Sequence, residues 1–72
     1  MTNPKWQQIK GKWNQFQGSA RERWGELTDN ELAEARGERD QLIGMVQESY
    51  GISREEARDQ VDKWAEEAKG AI

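Results

Sequence analysis

Glu55, Asp59, Asp62 and Glu66 are spaced three or four residues apart, which on a helix puts all four carboxylates on one face. Carboxylates so placed can serve as a general acid–base pair or hold a cation. Here Arg54, Arg58, Lys63 and Lys69 are interspersed among them. That mixture is the pattern of a solvated helix surface. The pair interactions at this spacing are on the order of a few tenths of a kcal/mol, and of both signs. The stretch from Asp29 to Asp40 lacks the alternating ligands and central Gly of a calcium loop. There is no Cys and no His, so thiolate nucleophiles, Cys-based zinc sites and the usual neutral-pH proton carrier are missing. No Gly-rich phosphate loop follows a strand. The expectation is a protein that is not an enzyme, with no cofactor, no metal and no small-molecule substrate.

The basic residues suggest a different chemistry. Residues 1–25 hold Lys5, Lys10, Lys12, Arg21 and Arg23 against Glu22 alone, a local charge of +4. Residues 26–72 hold six basic and thirteen acidic residues, a local charge of −7, and the two halves give the net −3. A basic front and an acidic back can attract each other within one molecule or face an anionic partner. Lys5, Lys10, Lys12, Arg21 and Arg23 are the candidate surface-binding residues. Beside Trp they could lay the first helix on an anionic membrane or contact phosphates of a nucleic acid. The acidic remainder would repel a polyanion, so nucleic acid is the weaker of the two. The simpler reading is that their methylene stems cover the rim of the core while their charged ends stay wet.

Those basic residues sit in a repeat. Lys5-Trp6-Gln7-Gln8-Ile9-Lys10-Gly11 is followed by Lys12-Trp13-Asn14-Gln15-Phe16-Gln17-Gly18. Trp6, Ile9, Trp13, Phe16, Ala20, Trp24 and Leu27 recur at steps of three and four, one stripe of a helix. Asn3-Pro4 suits its start and Gly25 its stop. Gly11 and Gly18 project opposite that stripe, where each is disfavoured by about 1 kcal/mol relative to Ala. Three explanations stand open: a helix break near Gly11, a smooth face for close backbone approach, or a segment that orders only on binding or drying.

Further helices follow from their caps. Thr28 with Glu31 forms a capping box, and Leu27 with Leu32 the matching hydrophobic staple. The helix that follows runs roughly 29–36 and ends at Gly37. A third runs about 38–50, closed by Gly51. Ser53 with Glu56 and Ile52 with Ala57 repeat the device before a last helix at about 54–69. No stretch alternates with a period of two, so no sheet is expected. The predicted core is Trp13, Phe16, Trp24, Leu27, Leu32, Leu42, Val46, Tyr50, Val61 and Trp64. Trp6 is a weaker anchor in the first turn.

The chain is one domain at most, residues 1–72, with 1–11 and 70–72 as ends open to fraying. Its apolar fraction of 33% lies near the border of disorder, and mean hydropathy is −1.20. Four Trp argue against disorder. The absence of Cys favours a reducing interior, and Met1–Lys5 has no apolar signal core. The expected location is the cytoplasm, and the expected state a monomer.

Four segments then resemble the CsbD-like family of small bacterial stress-response proteins: Lys12-Trp13-Asn14-Gln15-Phe16-Gln17-Gly18, Trp24-Gly25-Glu26-Leu27-Thr28-Asp29, Gly37-Glu38-Arg39-Asp40-Gln41-Leu42-Ile43-Gly44 and Tyr50-Gly51-Ile52-Ser53-Arg54-Glu55-Glu56-Ala57. The resemblance implies a bacterial cytoplasmic protein made under general stress or on entry to stationary phase. It also implies a fold similar to two roughly orthogonal α-hairpins, as in SAM-like domains. It brings no catalytic or ligand residue. One departure is Ala35-Arg36 before Gly37, where the family usually has an aliphatic residue. The expectation is therefore an all-α bundle of about four helices. Its expected function is non-enzymatic, a protective or adaptor role in stress, with a protein partner in the second case. The alternative is a peripheral binder of anionic membrane or nucleic acid through the basic Trp-rich first helix.

Overall fold

The computed structural model describes residues 4–70, with side chains over 6–68. Among the described residues five helices follow one another: α1 (Pro4–Gly11), α2 (Trp13–Arg23), α3 (Asp29–Ala35), α4 (Arg39–Tyr50) and α5 (Arg54–Gly70). No strand occurs among the described residues. The predicted Asn3 cap lies outside them.

The first helix is two helices. Its stripe is continuous in sequence, but the backbone leaves helical geometry at Lys12 (φ −123°, ψ 36°). Of the three explanations left open at Gly11, the break is the one the structure takes. The added helix raises the count from about four to five. The break turns α1 onto α5, so that Trp6 and Ile9 are buried there with the rest of the core. α2 then ends at Arg23, with the Trp24 N–H donating to the Ala20 carbonyl at 2.9 Å. The stop falls ahead of Gly25.

The other boundaries sit where the caps placed them. The Glu31 N–H donates to Thr28 Oγ1 (3.1 Å), and the Thr28 N–H donates to Glu31 Oε1 (3.0 Å), so both arms of the box are made. Leu27 and Leu32, the staple, are both fully buried. Before α5 the Glu56 N–H donates to Ser53 Oγ at 3.1 Å. Gly51 closes α4 in the left-handed region (φ 62°), its N–H on the Gln47 carbonyl. α3 closes on Arg36, which also has positive φ (53°). Such a conformation is unfavourable for a residue with a Cβ.

The core is centred on Trp64. Its ring lies 6.1 Å from Trp6, 6.3 Å from Trp13, 6.4 Å from Phe16 and 5.5 Å from Trp24, centroid to centroid. Tilted and edge-on contacts at such spacings suit the ring quadrupoles. Leu32, Leu42, Ile43, Val46 and Val61 fill the remainder. A buried indole N–H needs an acceptor, and three find one. Trp13 Nε1 donates to the Leu32 carbonyl (2.7 Å), Trp24 Nε1 to Gln60 Oε1 (3.1 Å) and Trp64 Nε1 to Ser19 Oγ (3.1 Å). Here lies the answer to the repeated heptad: its two Trp approach the same partner ring from two helices.

One expectation is corrected. Tyr50 is not a core residue but is 40% exposed. As the last residue of α4 it points outward, and its hydroxyl accepts the Glu26 N–H at 3.1 Å. The glycine at a close backbone approach is Gly37, in the joint between α3 and α4. A Cβ at Gly37 would lie 2.8 Å from the Lys10 Cα, whereas one at Gly11 or Gly18 would meet nothing within 4 Å.

Candidate functional site

Four of the five basic candidates have described side chains, and they are spread over two helices and the joint between them. α1 carries Lys10, the joint carries Lys12, and α2 carries Arg21 and Arg23. The Lys5 side chain lies outside the described residues. Lys10 is ion-paired with Glu38 and Arg21 with Asp29. Arg23 places its guanidinium carbon 5.4 Å from the centroid of the Trp24 ring, a cation–π distance. Lys12 is exposed and has no ion-pair partner among the described residues. The helix break and the ion pairs together disperse the basic cluster that a single straight helix would present. The internal attraction of front and back is realised: Lys10 and Arg21 each hold a carboxylate from the acidic part.

One member of the acidic face is engaged by a neighbouring helix, while Glu55, Asp59 and Glu66 are exposed. Asp62 is taken by Arg39 of α4, whose Nε and Nη2 donate to its two carboxylate oxygens at 2.8 and 2.9 Å. That hydrogen bond holds the Arg39 pKa above its ordinary value, against an opposing effect of burial. Asp62 is thus a tie between helices and not part of a purely solvated row. Spacing along α5 gave no sign of it, because the partner lies 23 residues away. Arg54 reaches Asp40 at 3.7 Å, a second link between α4 and α5. Among the described residues no group of three or more His, Cys, Asp or Glu is placed to hold a metal ion.

One groove of about 320 Å³ opens at the surface, lined by Ser19, Glu22, Arg23, Trp64, Glu67 and Ala68. Its charges are of both signs. The one polar atom of Trp64 is already engaged by Ser19, and nothing in the sequence marked Ser19 for that contact.

The model of the CsbD-like family matches residues 7–59. The chain belongs to the CsbD-like family. This CsbD-like chain is 47% identical over 62 residues to a UPF0337 protein of Pectobacterium atrosepticum, an alignment spanning 86% of this chain and 90% of that one. It is 44% identical over 54 residues to the UPF0337 protein YjbJ of Escherichia coli K12, spanning 75% and 78%. It is 48% identical over 50 residues to a UPF0337 protein of Protochlamydia amoebophila, spanning 69% and 76%. Trp6 and Trp64 of this CsbD-like protein fall outside the span matched by the family model, yet they touch each other. No helix among the described residues is long and apolar enough to cross a membrane.

Proposed function

We propose that this protein is a non-enzymatic stress protein of the bacterial cytoplasm that protects other macromolecules through its hydrated surface. One observation carries the reading. Among the described residues the only exposed large hydrophobic side chain is Tyr50, and every described Trp is buried. The outside is therefore a mixed field of Lys, Arg, Asp and Glu, part of it in ion pairs. Such a surface keeps water and offers little apolar area for a specific partner to anchor on. The CsbD-like family, generally one of stress-response proteins, supplies the context.

The test is to heat or dry two unrelated enzymes with rising molar excess of the protein. Retained activity should rise steadily for both, with no plateau at a fixed ratio. An adaptor would instead capture one partner and saturate near a fixed stoichiometry. Shielding no better than that of an equal mass of an unrelated acidic globular protein would also overturn the proposal.

A further inference from the structure

The joint between α1 and α2 combines a continuous sequence pattern with a broken backbone. Trp6, Ile9, Trp13, Phe16 and Ala20 keep helical spacing straight across it, as one uninterrupted helix would. The chain departs from that helix at a single residue, Lys12. Lys12 supplies no side-chain cap to α2; only its carbonyl serves the first turn, accepting the Gln15 N–H at 2.9 Å. Its own N–H is shared between the Gln8 and Ile9 carbonyls at 3.1 and 3.3 Å. What α1 gains by turning is its seat on α5: Ile9 is fully buried and Trp6 meets Trp64.

The seat extends from α5 to the joint between α3 and α4, and there it is specific to α1. Lys10 fits over Gly37 because a Cβ at Gly37 would come within 2.8 Å of the Lys10 Cα. The Lys10 ammonium also meets the Glu38 carboxylate next to that glycine. Shape and charge at the seat both match α1 itself.

We propose that the Gly11–Lys12 joint is an exchange hinge, and that the seat on α5 accepts α1 from a second copy of this chain. When the joint becomes helical, α1 and α2 fuse into one helix over residues 4–23, about 30 Å long. α1 then leaves its own α5, and the surface complementary to it is the vacated seat of a copy that has straightened too. Two such copies re-form the Trp6–Trp64 contact and the Lys10–Glu38 ion pair between chains, exchanging an identical element. Gly11 sets the balance. It ends α1 in the bent form but lies inside the fused helix, where Gly is disfavoured about fivefold relative to Ala. Space does not limit it, since an added methyl there meets nothing within 4 Å.

The test compares full-length wild type, Gly11→Ala and Gly18→Ala by sedimentation velocity after refolding at high protein concentration. Gly11 is the last helical residue of α1 in the bent form and interior in the fused one, and two hinges straighten in each dimer, so Gly11→Ala should raise the dimer association constant severalfold, by at most about 25-fold. Gly18→Ala should leave it unchanged, because residue 18 is helical in both forms. Isotope-filtered NMR on a dimer of one labelled and one unlabelled chain should show Trp6 against Trp64 between chains. Equal association of the two variants, including none in either, would overturn the proposal. So would a dimer whose Trp6–Trp64 contacts all lie within single chains.

Discussion

Arg39 on α4 grips Asp62 on α5 with two parallel hydrogen bonds of 2.8 and 2.9 Å. The fork geometry fits a guanidinium to a carboxylate in a way an ammonium cannot reproduce. Both side chains remain partly exposed, at 35% and 43%, so solvent screens the pair and its coupling should be modest. A double-mutant cycle of Arg39→Ala and Asp62→Ala, read by urea unfolding, should give a coupling of about 0.5–1 kcal/mol. Arg39→Lys should lose most of it.

The same pair carries a pH expectation. The hydrogen bond to Asp62 raises the folded-state pKa of Arg39 above its unfolded value. A raised basic group contributes stability that is fully present below the unfolded pKa and is lost only as pH rises through the folded one. For a guanidinium that window is strongly alkaline. Titration of Arg39 therefore adds no slope to stability between about pH 6 and about pH 10. Replacing it by Lys should make the loss begin at lower pH, seen as a thermal midpoint that falls earlier in an alkaline series.

Trp64 bears the largest single share of the packing. A domain of this size holds only about 3–5 kcal/mol of net stability, and truncating a buried Trp costs about 3–5 kcal/mol. Trp64→Ala should therefore leave a chain largely unfolded by circular dichroism at room temperature. Trp6 is buried too, but its loss removes one neighbour of the hub and not the hub itself, so Trp6→Ala should cost less than Trp64→Ala, seen as a larger folded fraction under the same conditions.

The glycines separate by their surroundings. Gly18 and Gly44 lie inside helices with open space where a methyl would go, so Ala at either should stabilise by up to about 1 kcal/mol. Gly37 has φ 75° and the Lys10 backbone against it. Gly37→Ala should destabilise by about 1–2 kcal/mol from the left-handed backbone alone, and should displace α1 as well. Amide exchange across residues 6–11 would report the displacement.

Thr28 makes both arms of its capping box. Thr28→Ala should lower unfolding free energy by about 1 kcal/mol. Ser53→Ala should cost a similar amount or less, since Ser53 Oγ accepts the single Glu56 N–H. Chemical denaturation of the two variants side by side checks the order.

The helix boundaries were legible because they are local. Thr28-Glu31, Ser53-Glu56 and Gly51 act within one turn, so their sequence is nearly their structure. The hydrophobic stripes likewise named Trp13, Phe16, Trp24 and Trp64 as core. What depends on distant partners was not legible. Tyr50 keeps helical register with Val46, yet its position at the end of α4 points it to solvent and to the Glu26 backbone. Asp62 reads as one more surface carboxylate until α4 brings Arg39 beside it. The basic cluster looked coherent only on a straight helix. The turn at Lys12 was foreshadowed by Gly11, but Glu38 and Asp29, the partners of Lys10 and Arg21, lie in other elements and no local signal names them. Ala20 lies on the first stripe and Ala57 in the second staple, and both are fully buried with Ala35 and Ala65; the predicted core named only larger side chains.

A folded chain that acts through its surface requires that its indoles stay sealed, and the Trp13 N–H, 2.7 Å from the Leu32 carbonyl, is the most direct probe of that. Proton exchange of the indole N–H groups, followed by NMR, should find Trp13 exchanging only as fast as the whole molecule unfolds, with Trp24 and Trp64 also protected. Exchange of Trp13 at the rate of free indole in water would contradict the sealed core and the surface-based function drawn from it.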